Sequence, residues 1–238
     1  MSDFFGGDNA VEFVDPRGFV LFRGENLSAN VLGIPGVNPH EFHRFEQGVL
    51  ADISDEPHLA LVPFGARNGK DVLEIIANPF NIGHLTSTAW GYDAKEQMRL
   101  KTDDDIRRIA DEQSDPDNFV RDFAVVVGPH YDESTGMFRN DDEVIGNVRH
   151  TVRSHARNSH IVDVFIDRAH TRQGFGFRAL ELMKWAVFQR PDSKVLHAYI
   201  HPDNFPAVAL ARKANMSRSE ELVSGMNKMS ISRGDAGY

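Results

Sequence analysis

The sequence predicts an α/β protein of about seven strands and four main helices, built as one domain with an N-terminal extension. Three observations carry this. Runs of β-branched and apolar residues alternate with stretches of helical period, as in 161–166 followed by 177–189. Those two are joined by a polar loop that ends in Gly174-Phe175-Gly176, a strand-to-helix turn. The 238 residues are 41% hydrophobic and 26% charged, the balance of a chain that buries one sizeable core.

Taken in order, residues 11–14 and 19–22 flank Asp15-Pro16-Arg17-Gly18. Pro at i+1 and Gly at i+3 suit a type I turn, so the pair reads as a hairpin. Asn38, Pro39 and Glu41 read as a helix cap with Pro at N1. Phe42, Phe45 and Val49 then make an apolar stripe on a short helix to about Ala51. This extension, residues 1–56, is too apolar for a free tail. It is expected to dock on the main domain, 57–238, or on a second subunit as in a homodimer, or to form a lid.

Residues 59–62 read as the first strand of the main domain. Asn68 reads as the cap of a helix over 69–77, which Asn78-Pro79 stops. Thr102 with Asp105 reads as the cap of a second helix, to about Gln113. Strands follow over 119–127 and 144–152, then the 161–189 strand-turn-helix. A strand over 195–201, a helix over 205–215 and two short strands, 217–223 and 226–232, close the chain. In the long helix, Leu180, Met183 and Val187 fall on one face.

The turn before that helix carries the chemistry. The first helical N–H groups have no intrahelical partner, the dipole favours negative charge, and glycine admits a ligand close to the backbone. The expected ligand is a phosphate or pyrophosphate. Gly174-x-Gly176-x-x-Ala179 formally fits the dinucleotide fingerprint, but six residues separate the strand from Gly174, and no acidic residue ends the next strand at the right distance. A nucleotide-binding oxidoreductase is therefore the weakest reading.

HTRQGFG followed by a helix resembles motif A of the GNAT N-acetyltransferases, R/Q-x-x-G-x-G/A. HAYIHPDNFPAVALARKANM, 197–216, is similar to the family's next strand and helix, with Asn204, Leu210 and Lys213 matching. VIGNVRH, 144–150, resembles the strand before motif A. LALVPFGARNGKDVLEIIANPFNI, 59–82, resembles the opening of the RimJ/RimL-like branch, which acetylates protein N-termini or small amines. The resemblance spans about Pro57 to Ser232. It implies a central mixed, mostly antiparallel sheet flanked by helices and splayed between the family's fourth and fifth strands. It also implies acetyl-CoA as co-substrate and no metal.

By this resemblance, backbone amides of Val164, Phe165 and Ile166 hold the acyl group. Pyrophosphate falls to Arg172, Gln173, Gly174, Phe175, Gly176 and Phe177, with the Arg172 side chain as a charge partner, and Asn204 contacts the pantetheine side. Phe80, His84, Trp90 and Tyr92 border the acceptor pocket, or pack as aromatics under a loop. Thr171, Ala207 and Ala211 depart from the family pattern; Ala211 stands where a general-acid tyrosine is frequent. Amide contacts survive such changes, and the acid does not. Tyr199 and His201 share one strand face and supply candidate substitutes. Asp163, an acid inside an apolar strand, reads as the general base or as half of a salt bridge.

Composition narrows the classes. Residues 103–143 hold 13 acidic residues against four arginines, which accounts for the whole formal net charge of −9. This acidic stretch reads as a solvated face or as a field for a cationic amine; no basic nucleic-acid footprint appears. The absence of cysteine removes disulfides and a Cys acyl-enzyme, which favours direct transfer in a ternary complex. Neither a signal peptide nor a membrane span is read, so a cytoplasmic location is expected. His150, His155 and His160, or His197 with His201, lack metal-site spacing. Two readings remain: an N-acetyltransferase acting on a small-molecule or peptide amine, and an acyl-CoA-binding module that has lost catalysis.

Overall fold

The computed structural model describes residues 13–14, 20–21, 27–28, 41–44, 50–52, 57–65, 68–77, 102–114, 119–128, 131–132, 137–138, 143–153 and 156–238. The strands among them are β1 (Phe13–Val14), β2 (Val20–Leu21), β3 (Leu27–Ser28), β4 (Glu41–Arg44), β5 (Leu50–Asp52), β6 (Leu59–Pro63) and β7 (Val120–Val127). They continue with β8 (Tyr131–Asp132), β9 (Met137–Phe138), β10 (Glu143–Arg153), β11 (Ala156–Ile166), β12 (Val195–Ile200), β13 (Ser217–Val223) and β14 (Met226–Ser232). The helices are α1 (Gly69–Ala77), α2 (Asp103–Ser114), α3 (Phe175–Phe188) and α4 (Phe205–Lys213), with a 3-10 turn at Arg168–His170.

One mixed, mostly antiparallel sheet runs in the order β13-β14-β12-β11-β10-β7-β6-β5-β4-β3. The seven strands expected from sequence are all in it. So are three more from the N-terminal residues, while β1 and β2 pair as the expected hairpin. Only β11 and β12 pair in parallel, and their ladder is short: Ser159↔Val195, His160↔Leu196 and Ile161↔His197. Beyond Ile161 the two strands part. This is the splay.

The two faces carry separate cores. α3 and α4 cover one, packing on Val125, Val148, Val162, Leu196, Ile200, Met229 and Ile231. The other holds Val72 and Ile76 of α1 and Ile106 of α2 against Phe64, Ala124 and Val126. Alternation along each strand sets which residue meets which core. Val162 and Val164 turn to α3, so Ile161, Asp163 and Phe165 turn to the α1/α2 side.

The short helix expected to about Ala51 is not formed; Glu41–Arg44 and Leu50–Asp52 are strands instead. Phe42 pairs with Asp52 and Arg44 with Leu50, and β5 continues onto β6. Three apolar residues at helical spacing are a weak local signal. An open edge at β6, with which Leu50, Ala51 and Asp52 all pair, outweighs it. Asn68 also differs from its expected role. Its Oδ1 accepts from the Gly65 amide and its Nδ2 donates to the Pro63 carbonyl, so it stitches the loop before α1 rather than capping the helix. Thr102 does cap α2, accepting from the Asp105 amide at 3.2 Å.

Helix α3 is buried almost all round rather than along one stripe. It therefore encloses charge, and each charge is paired. Lys184 Nζ lies 2.6 Å from Glu181 Oε1. Arg178 Nε donates to Asp52 Oδ2 at 2.7 Å, while its two terminal nitrogens reach the carbonyls of Pro57 and Asp52. Asp52 is fully buried. The first turns of α3 are thus fastened to β5 across 126 residues of sequence.

Breaking a buried pair from one side strands the other charge, which is worth about 3–5 kcal/mol. Asp52→Ala should therefore lower stability to urea by about that amount, and the double change Asp52→Leu with Arg178→Met should recover most of it. Superimposable unfolding curves for wild type and Asp52→Ala would show that the pair does not hold α3 in place.

Candidate active site

The loop from Ile166 to α3 is built to expose amides. Thr171 Oγ1 donates to the Arg168 carbonyl, and the Thr171 amide bonds the same oxygen at 3.4 Å. Arg172 then takes φ 64° and Gly174 φ 90°, left-handed positions that fold the backbone into a cup. The Gly174 carbonyl accepts from both Phe177 and Arg178, which starts the helix. Among the described residues no acceptor meets the amides of Arg172, Gln173, Gly174, Phe175 and Gly176. Five consecutive N–H groups at the positive end of a fourteen-residue helix form an anion nest. The Phe177 amide, expected in this set, is used inside the first helical turn.

Gly176 plays a different part from the one its motif suggests. A Cβ there would lie 3.4 Å from Ile166 Cγ1 and 3.8 Å from Leu210 Cδ2. It faces β11 and α4, not the mouth of the nest. At Gly174 a Cβ would meet nothing within 4 Å, and the constraint is the positive φ alone.

The splay lies beside this nest. The Asn158 carbonyl accepts from the Lys194 amide on the β12 side, whereas the Asp167 amide donates to the Ile145 carbonyl on the β10 side. Backbone groups alternate along a strand. Even-numbered residues of β11 therefore turn their N–H and C=O towards β12. Past the last paired residue, Val164 and Ile166 face the opening. Phe165 turns its amide to β10, opposite Asn147. Of Val164, Phe165 and Ile166, two turn their amides to the opening and one turns away from it.

On the α1/α2 face a polar row crosses the strands. Asp122 opposes Arg149, and Arg149 opposes Asp163. Arg149 grips Asp122 with two bonds of 2.9 Å, and Gln113 Nε2 adds a third at 2.6 Å. Asp163 is left as the surplus carboxylate. Burial pushes its pKa up to about 6; the Arg149 guanidinium pulls the other way, and the Asp122 charge adds to the rise. The salt-bridge reading of Asp163 therefore fails to describe it, because Asp122 holds the arginine.

Across the splay, Tyr199 stands two residues past His197, as Asp163 stands two past Ile161. The strands are parallel there, so Asp163 and Tyr199 flank the opening on one face. His197 adds a neighbour that sequence reasoning passed over: its ring lies 6.4 Å from that of Tyr199, and its Nδ1 is 2.8 Å from Ser230 Oγ. Strand alternation was the signal for it. His201 lies just beyond β12, exposed, its Nδ1 accepting from the Asp203 amide at 3.3 Å. The structure does not bring it to the Asp163–Tyr199 pair.

Asn204 caps α4, accepting from the Ala207 amide at 3.2 Å. That leaves its NH2 group for other partners. Ala211, at the position of the family's acid, is buried in the core beneath α4. Arg172 is exposed at the rim of the nest. Phe80, His84, Trp90 and Tyr92 lie outside the described residues. His150 and His160 stack with Nε2 and Nδ1 2.9 Å apart, and Ser193 meets the other His160 nitrogen. Burial first, then Arg190, lowers the His160 pKa to about 4, so this ring is neutral near pH 7. Among the described residues no group of three His, Cys, Asp or Glu could hold a metal ion, and no helix is long and apolar enough to cross a membrane.

Comparison with known proteins agrees with this geometry. Residues 100–216 match the profile of the acetyltransferase (GNAT) family. No curated protein matches the chain by sequence. Mycobacterium smegmatis RimJ, solved with CoA-disulfide, is similar over 74% of this chain and 82% of its own, at 16% identity and TM-score 0.55. Vibrio cholerae spermidine N-acetyltransferase, solved with CoA and spermine, is similar over 75% and 97%, at 15% identity and TM-score 0.55. The aminoglycoside acetyltransferase AAC(6')-Ib, solved with coenzyme A, is similar over 74% and 96%, at 13% identity and TM-score 0.53. At these identities the likeness is one of fold. The matched profile covers 117 of the 238 residues, and the fold is the one these acetyltransferases share, RimJ among them.

A side chain at Gly174 would strain the left-handed backbone by about 1–2 kcal/mol. Gly174→Val should lower the melting temperature of the apo protein and reduce the shift given by CoA. A valine variant with the wild-type melting temperature and the wild-type CoA shift would rule out a nest that depends on this turn.

Proposed function

We propose, from that family and fold, that the chain is an acetyl-CoA-dependent N-acetyltransferase that moves an acetyl group to a primary amine in a ternary complex. The observation that carries this reading is the run of five free amides, 172–176, opening beside the splay. The nest suits a pyrophosphate, and Arg172 at its rim adds charge. The splay suits an extended chain threading between β11 and β12, with the Asn204 amide group near its path. The solved neighbours named with CoA support the same assignment.

Acetyl-CoA would supply an activated acyl carbon; the protein's residues do the rest. The Val164 and Ile166 amides are placed to polarise the thioester carbonyl. Asp163 takes a proton from the incoming ammonium, which frees the nitrogen lone pair to attack that carbon. The C–S bond breaks as the N–C bond forms; Tyr199 gives the departing sulfur its proton and is reprotonated by the second proton that the nitrogen sheds as the amide forms. His197, against the Tyr199 ring, orients it. The acidic residues of 103–143 raise the local concentration of a cationic acceptor. RimJ and the spermidine enzyme mark the two classes of acceptor to try first, protein N-termini and small amines.

The first test is CoA thiol release with N-terminal peptides, polyamines and aminoglycosides. Thermal stabilisation by CoA with no release on any amine would favour the non-catalytic binding module. With an active acceptor, kcat/KM should fall as pH drops through about 6, because protonated Asp163 cannot accept the ammonium proton. Asp163→Asn should remove that limb and lower kcat by about two to four orders of magnitude. Tyr199→Phe should lower kcat with little change in the KM for acetyl-CoA. Wild-type kcat in Tyr199→Phe would exclude it as the acid.

A further inference from the structure

Asn147 is the most conspicuous polar group that this mechanism does not use. It is 1% exposed, and among the described residues neither its Oδ1 nor its Nδ2 has a hydrogen-bond partner. A buried carboxamide with both ends unsatisfied is costly and calls for an explanation. Its neighbours on the same face are fully matched: Asp122, close by on β7, takes bonds from Arg149 and Gln113.

Register fixes where Asn147 sits. It opposes Ala124 on β7 and Phe165 on β11, so it turns to the α1/α2 face. Phe165 is two residues from Asp163, which makes Asn147 and Asp163 diagonal neighbours, about 7–8 Å apart at Cα. Burial lessens from Asn147 to the half-buried Phe165 and Asp163. Asn147 therefore lies one strand further from the splay than Asp163, at the more deeply buried end of the same face. Gly146 brings β11 close at this point, since a Cβ there would collide with the Phe165 carbonyl.

We propose that Asn147 determines acceptor specificity: it receives the first amide unit beside the acceptor amine, while Asp163 takes the ammonium. This rests on the acetyltransferase reading. Oδ1 needs a donor and Nδ2 needs an acceptor, within one short span of a cation. A peptide N-terminus offers that set: an ammonium, then a C=O and an N–H. A polyamine offers only donors and leaves Nδ2 unmatched. The site thus selects amines flanked by an amide over plain alkylamines. Asn147 is a specificity residue and takes no part in proton transfer.

Alaninamide and isopropylamine differ only by the carboxamide, and both are assayed with acetyl-CoA by thiol release. Asn147→Leu, and the smaller Asn147→Ala, should cut kcat/KM for alaninamide roughly 10- to 100-fold, mostly through KM. For isopropylamine the change should stay under about twofold, and apo Asn147→Leu should melt no lower than wild type, since no internal bond is lost. Equal losses on both acceptors, or a destabilised Asn147→Leu, would overturn the proposal. If wild type acetylates neither these two amines nor any acceptor of the wider panel, the acetyltransferase reading fails. Asn147 is then judged by the melting shift that alaninamide gives in the presence of CoA. A shift seen in wild type and lost in both variants supports it, and an unchanged shift overturns it.

Discussion

The site depends on a parallel ladder that stops after three pairs. Between β11 and β12 the pairing ends at Ile161↔His197, although β11 runs on to Ile166 and β12 to Ile200. Two helices stand at the parting. Gly176, in the first turn of α3, sits against Ile166 of β11 and Leu210 of α4. A full sheet would join these strands edge to edge; the helices instead hold them apart. The cost is exposed backbone at Val164 and Ile166. The consequence is a slot with unsatisfied hydrogen-bonding groups on one wall and an anion nest at its end. Polar groups that folding leaves unmatched are groups that a ligand can match.

The placement of charge follows the same rule. Every charge that α3 buries is paired: Arg178 with Asp52, Lys184 with Glu181. On the opposite face, Arg149 is consumed by Asp122. Asp163, whose opposing arginine is held by Asp122, and Asn147, without a partner among the described residues, both lie on the α1/α2 face and are diagonal neighbours. The nest lies at the N-terminus of α3, and α3 itself covers the other face. The sheet therefore separates the free amides at the start of α3 from the carboxylate and carboxamide on the far side. The slot is where the two meet.

What could be read from sequence was local. The 59–62 strand, both helices on the α1/α2 face and the closing β13–β14 hairpin were legible because spacing and turn residues specify them within ten residues. The nest was legible for the same reason, and a threonine at its start does not matter because amides do the binding. The N-terminal strands were not legible. Phe42 joins a sheet only because β6 presents an edge, and nothing within 38–51 encodes that edge. Arg178 and Asp52 read as ordinary charged residues until folding brings them together. Asn147 read as one polar position in an apolar strand; only the absence of a partner at that depth sets it apart.

Ala211 shows how the loss of one side chain is accommodated by geometry. A tyrosine on α4 would deliver its proton from the α3/α4 side of the slot. Ala211 is 2% exposed and packed in the main core, and the Met216 amide closes onto its carbonyl. The space a phenol would need there is filled. Tyr199 approaches from the other face, on the strand that forms the opposite wall, with Asp163 directly across the gap. Under the proposed mechanism base and acid act from one side of the sheet, on strands related by a parallel register rather than on a separate helix. An acid on α4 moves when that helix shifts. An acid on β12 is tied to β14 through Tyr199↔Lys228, and to the base through the same short ladder that opens the slot. Under the proposed mechanism, the ladder that leaves the backbone open for an acyl group therefore also sets the register of the groups that move the protons.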